Sequence, residues 1–249
     1  MSNAAVRPRA LLILAALSGA VSGSTAGCGA ATTPLADDGS HPAQASSAPR
    51  ARSGMGAESE IGGLNESKVQ QVFQRSAPRL SACYDKGSER IPYLAGEVSF
   101  RLRITRDGGV RWAHVKSSSL GDRATEECML AILKSASWPH PEGGEGLAEN
   151  SFTFESGGEE RPPIAWSPEQ LGQPFRKAHG ELAKCRSSAG TGVIKATLYV
   201  DTDGKASGVG VATADERGDA AVTCVVDTLK ALTFPSPGSY ASKVSVTIE

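Results

Sequence analysis

The chain contains one stretch twice, and that repeat limits its folds more than any other feature. Residues 96–141 align without a gap on residues 192–237. Gly96/Gly192, Leu102/Leu198, Asp107-Gly108/Asp203-Gly204, Cys128/Cys224, Leu133-Lys134/Leu229-Lys230, Pro139/Pro235 and Pro141/Pro237 coincide. Val98/Ile194, Ile104/Val200 and Trp138/Phe234 are conservative pairs. A repeat decides the fold before other signals do, and this period is too long for a solenoid. Two copies of one small domain are expected. A domain of this size buries a thin core and gains from a covalent staple.

Each copy predicts the order α-β-β-α-β. In the first, Asn65 is a candidate N-cap. Val69, Val72, Phe73, Leu80, Cys83 and Tyr84 then form one helical stripe. Pro78 predicts a kink or a break, and Gly87 a stop. In the second, Ser167-Pro168-Glu169-Gln170 combines an N-cap, a Pro at N1 and a capping-box Gln. Leu171, Phe175, Leu182 and Cys185 follow it. A hairpin comes next. Val98, Phe100, Leu102 and Ile104 alternate with polar residues, as do Ile194, Ala196, Leu198 and Val200, which predicts strands with one buried face. Asp107-Gly108 and Asp203-Gly204 are hairpin turns. The return strands are expected over residues 110–117 and 206–213, with a bulge where the apolar parity shifts.

Asp122 and Asp219 are candidate caps of a second helix, which carries Ala124, Cys128, Ile132 and Ala136, or Ala220, Cys224, Val225, Leu229 and Leu232. Trp138 and Phe234 should plug the cores, and the prolines after them should turn the chain. A last strand closes each copy over residues 151–155 and 243–248. The fold class is therefore α+β: two tandem two-layer sandwiches, each a three-stranded antiparallel sheet with two helices on one face. A right-handed crossover puts each last strand beside the first and leaves it as an edge.

The N-terminus reads as an export signal. Arg7 and Arg9 precede an apolar run over residues 11–21 that is too short to span a bilayer, and small residues lead to Cys28. Small residues immediately before a cysteine resemble a bacterial lipobox, which implies lipidation of Cys28 and a signal peptide over residues 1–28. The alternative is an ordinary cleaved signal. Residues 29–63 are rich in Ala, Ser, Pro and Gly and are expected to be a disordered tether with a reach of roughly 30 Å. Domains are expected over residues 64–156 and 164–249, joined by residues 157–163.

Export leads to an oxidising compartment. In both copies one cysteine lies on each helix, on the stripe facing the other helix. Disulfides Cys83–Cys128 and Cys185–Cys224 are expected, with free thiols as the alternative. A net charge of −1 gives no footprint for nucleic acid. No C-x-x-C, paired His, G-x-S-x-G, H-E-x-x-H or phosphate-cradling loop is present, so neither metal nor cofactor is expected. His41, His114, His140 and His179 do not recur between copies. Ser117, Ser118 and Ser119 read as a polar turn, with a hydrolase site there as the remote alternative. Arg101 and Arg103 sit on the open sheet face.

The order Cys83-Tyr84, G-x-V, DG-x-V, Ser-Ser-Leu, Cys128 and W-P-x-P resembles the AgmX/PglI C-terminal domain family, a TonB C-terminal-like fold. The likeness covers residues 64–156 well and residues 164–249 less well, where Arg186 replaces the Tyr. It implies a non-enzymatic adaptor that binds an envelope protein or extended peptide on a sheet edge. The implied docking strands carry Phe152, Thr153 and Phe154, or Val244, Val246 and Ile248. The expected location is the outer membrane, facing the periplasm, with the lipid anchor in the bilayer. A purely structural subunit packing by domain faces is the rival reading.

Overall fold

A computed structural model describes residues 62–157, 160–187 and 192–248. The expected signal, Cys28, His41 and nearly all of the expected tether lie outside the described residues.

The first helix, α1 (Glu66–Arg90), starts where the cap was expected, with Asn65 accepting a hydrogen bond from Lys68 N–H at 3.0 Å. It runs unbroken through Pro78. A helical proline forfeits one backbone hydrogen bond. Here Phe73 before it and Leu80 after it are both fully buried in one core, and that burial outweighs the loss. Nor does the helix stop at Gly87. A Cβ at that position would lie 2.2 Å from Thr125 Oγ1 and 2.8 Å from Leu94 Cδ2, so this glycine permits close helix approach rather than termination.

Strands β1 (Gly96–Ile104) and β2 (Val110–Ser118) form the hairpin, turned at Gly108 with φ +79°. Arg111 and Lys116 are skipped in the register and form two bulges, on either side of the parity change. Helix α2 (Arg123–Lys134) is capped by Asp122, which accepts from Thr125 N–H. Strand β3 (Gly146–Phe154) starts earlier than the expected 151 and pairs with β1 along nine residues. The sheet order is β2-β1-β3, all antiparallel. Both helices cover one face.

The second half begins with a two-residue strand, β4 (Ile164–Ala165). A 3-10 turn over Pro168–Leu171 carries the expected capping-box contact, Ser167 N–H donating to Gln170 Oε1 at 2.8 Å. Helix α3 (Gly172–Ser187), strands β5 (Ile194–Val200) and β6 (Ala206–Thr213), helix α4 (Asp219–Lys230) and strand β7 (Ser242–Ile248) follow. Asp219 is not the cap. A 3-10 turn capped by Asp215 intervenes, and Asp219 becomes the first helical residue, where a carboxylate suits the helix dipole.

The second sheet corrects the sequence expectation. It has four strands in the order β4-β7-β5-β6 and is mixed, because β4 lies parallel to β7. Ile164 N–H donates to Ala241 O and Trp166 N–H to Lys243 O, both at 2.9 Å. Pro162 and Pro163 have no N–H to give, so pairing starts at Ile164.

Trp138 and Phe234 plug their cores as expected. Each is pinned to the hairpin turn of its own half, Trp138 N–H to Gly108 O at 3.2 Å and Phe234 N–H to Gly204 O at 2.8 Å. Both cysteine pairs are bonded, with Cα–Cα distances of 5.8 and 5.5 Å, inside the range a disulfide needs.

The described residues belong to one compact unit, with a hydrophobic core in each half. Tyr199 and Ala212, from the second half, belong to the first core. The alternation Lys195-Thr197-Tyr199 suggested a solvated face, yet Thr197 and Tyr199 are buried. The polar face of the second sheet packs on the first half, and glycines set the approach. Cβ atoms at Gly208 and Gly210 would lie 2.7 Å from Gly121 O and 2.8 Å from Gly121 Cα.

Candidate functional site

Of the two expected docking strands, β3 and β7, the fold leaves them unequally open. The Glu97 carbonyl accepts from Ser119 N–H at 2.8 Å, so the odd-numbered residues of β1 bond toward β2. Its even-numbered residues therefore bond toward β3, where Val98 faces Phe152 and Phe100 faces Asn150. Backbone direction alternates along an antiparallel strand. Leu147, Glu149, Ser151 and Thr153 thus direct their N–H and C=O groups away from the sheet. Among the described residues no strand pairs with them.

The helix side of this edge is aromatic. Phe152 and Phe154 are half-buried. Phe154 stacks on Tyr84 with ring centroids 4.9 Å apart, and Phe152 meets Phe73 at 6.0 Å. The Tyr84 hydroxyl lies 2.7 Å from both the Leu94 and the Glu155 carbonyl, which fixes the end of the strand to α1. On the open side Leu147 is 40% exposed, one of two large apolar side chains so exposed among the described residues. Val244, Val246 and Ile248 are instead buried core residues of β7. The outer edge of β7 is already occupied at Ser242 and Lys243 by β4, which leaves Ser245 and Thr247 as its outward positions.

The open face of the first sheet is a network of ion pairs. Glu149 takes Arg101 at 3.0 Å and Lys116, while Glu145 takes Arg103 at 2.7 Å and Arg111 at 2.5 Å. Hydrogen bonds from Arg103 and Arg111 hold the Glu145 carboxyl below its usual range. For Glu149 burial pushes the other way, and the Lys116 and Arg101 hydrogen bonds prevail. A polar hollow of about 660 Å³ opens between Arg103, Arg106, Arg111, Trp112 and Glu145. Arg103 and Arg111 are both paired with Glu145 there.

The seam between the halves holds groups that sequence reasoning missed. Glu126 is fully buried, and accepts from Ser118 Oγ at 2.6 Å and from Val211 N–H at 3.4 Å. Burial pushes its carboxyl up to about 7, against the hydrogen bonds. The Tyr199 hydroxyl donates to Ala95 O at 2.9 Å and accepts from Ala95 N–H at 3.1 Å. Tyr93 reaches across to donate to Asp201. His114 is buried, and neither ring nitrogen has a hydrogen-bond partner among the described residues. Burial and then Arg101 hold its pKa down, against the pull of Glu216, Asp215 and Asp219.

The expected polar turn at Ser117–Ser119 is instead the end of β2, which includes Ser117 and Ser118 paired with Ser99 and Val98, with Ser119 just after it. Ser118 Oγ holds Glu126 and accepts from Leu120 N–H, while Ser119 Oγ accepts from Glu97 N–H. Neither serine meets a histidine in these contacts. His140 and His179 are exposed. Among the described residues no group of three or more His, Cys, Asp or Glu could hold a metal ion. The two disulfides are compatible with an exported protein, and among the described residues no helix is long and apolar enough to cross a membrane.

Comparison with protein-family models, with curated proteins and with solved structures finds no match.

Proposed function

We propose that the protein is a non-enzymatic, lipid-anchored adaptor of the bacterial cell envelope that captures an extended segment of a partner protein on the outer edge of β3. One observation carries this reading: among the described residues, nine residues of strand are paired on one side only, with four outward backbone positions beside an aromatic flank. An unpaired edge recruits an extended peptide through main-chain hydrogen bonds, and neighbouring side chains supply selectivity. Phe152, Phe154 and Tyr84 offer the incoming strand an apolar contact on the helix side. Leu147 offers one on the other.

The TonB C-terminal-like character of the sequence supports the same mode of binding. The lipobox-like residues before Cys28 support anchoring at the outer membrane, facing the periplasm, and the two disulfides suit that compartment.

A photo-crosslinking side chain at Thr153 in intact cells, followed by partner identification, tests the proposal. The expected result is one dominant envelope protein crosslinked from Thr153 and none from Lys177 on the exposed side of α3. Equal yields from both positions would favour a subunit that packs by its faces, and would refute edge capture.

A further inference from the structure

A second cleft lies at the seam, away from β3. It has a volume of about 340 Å³, which is small-ligand size. Its walls are apolar: Pro162, Pro163 and Ala165 on one side, Tyr93 and Tyr199 on the other. The sheet register builds the floor. Lys243 faces Tyr199 on β5 and Ala165 on β4, so its side chain emerges between an aromatic ring and the short parallel strand.

Among the described residues the Lys243 ammonium is the one cationic group lining this cleft. It stands 5.0 Å from the centroid of the Tyr199 ring and donates to Ala95 O at 2.6 Å. An ammonium has three donors, so two remain for a ligand. No carboxylate among the described residues comes within ion-pair distance of it. Burial alone pulls its pKa down to about 8, which leaves it mostly charged at neutral pH. The polar hollow on the first sheet differs in this respect, because Glu145 already occupies two of its arginines.

A half-buried cation with no counter-ion among the described residues, set among prolines and tyrosines, is complementary to one negative charge on an apolar body. A dianion would exceed the single charge offered, and a cation would be repelled. We propose that this cleft binds a compact aromatic monocarboxylate, its carboxylate paired with Lys243 and its ring lying between Tyr93 and the Pro162-Pro163 wall. Such a group occurs both in free aromatic acids and at a peptide C-terminus ending in Phe.

Titration calorimetry on the full chain, using 3-phenylpropionate, tests this directly. The free acid should bind saturably, and 3-phenylpropylamine and 3-phenylpropanol should bind at least tenfold more weakly. Lys243→Met should weaken binding tenfold or more. Ala165→Trp, at an exposed position that leaves the amine untouched, should do the same by filling the cleft. The second variant keeps the test decisive if loss of the Ala95 contact unfolds the first. Affinity should also fall as pH rises past about 8. N-acetyl-Ala-Phe with a free carboxylate, set against its amide, separates the two sources: tighter binding of the peptide acid than of 3-phenylpropionate assigns the site to a chain terminus, and the reverse to a free acid. Absence of saturable binding in the millimolar range would overturn the proposal. So would equal binding of the amine, or unchanged affinity in Ala165→Trp.

Discussion

Glu126 is the residue whose chemistry is furthest from its surroundings. Its carboxyl is buried where α2 meets β6, and burial outweighs the Ser118 hydroxyl, the Arg123 charge and the Val211 amide that favour its ionised form. The folded chain holds its proton up to about pH 7, whereas the unfolded chain releases it near the ordinary carboxylate value. Folding therefore takes up a proton between those values, and stability falls as pH rises through that window. The loss is about 3 kcal/mol by pH 8, from roughly 1.4 kcal/mol per pKa unit. Glu126→Gln should remove it, so that denaturant unfolding at pH 8 shows a variant more stable than wild type by up to about 3 kcal/mol. An identical pH slope in both proteins would contradict this. His114 acts in the opposite direction: its folded pKa is depressed, so its contribution is lost as pH falls below about 6.5. His114→Leu should flatten the acid side of the same curve, measured below pH 6, without changing the alkaline side. Neither residue was legible from periodicity. Each is buried by docking of the other half, and local pattern holds no record of that.

At the scale of elements, the disulfides carry much of the stability of two thin cores. They close loops of 45 and 39 residues, worth about 4 kcal/mol each in the chain-entropy description. A Cys83→Ser, Cys128→Ser double variant should lose about that much in denaturant unfolding, and reduction should not destabilise that half further. A loss under about 1 kcal/mol would show the bridge to be idle. These pairs were legible because each cysteine falls on a helical stripe in register with the other, as were the Asn65 and Asp122 caps and both hairpin turns. Pro78 and Gly87 misled for a shared reason. Their local preference to end a helix is worth about 1 to 3 kcal/mol, and one continuous core along α1 exceeds it. Strand β4 escaped notice because two residues have no period; its position depends on β7, nearly eighty residues away in sequence.

At the scale of the molecule, the repeat predicts two like sandwiches but says nothing of how they meet. The seam is made of Gly121, Gly208, Gly210, Thr197 and Tyr199, small or amphipathic residues that read as turn or solvent face in sequence. Once they dock, the second sheet is covered on both faces and one end of its β7 edge is filled by β4. In the first sheet the outer edge of β3, from Leu147 to Thr153, has no strand paired to it among the described residues. Proline scanning of the two edges separates them most directly. Proline is tolerated at an outward N–H of an edge strand and removes a donor needed by an added strand. Thr153→Pro and Thr247→Pro should both fold, and capture of the envelope partner from cells should be lost in Thr153→Pro and kept in Thr247→Pro. Full capture by a folded Thr153→Pro protein would contradict edge binding at β3.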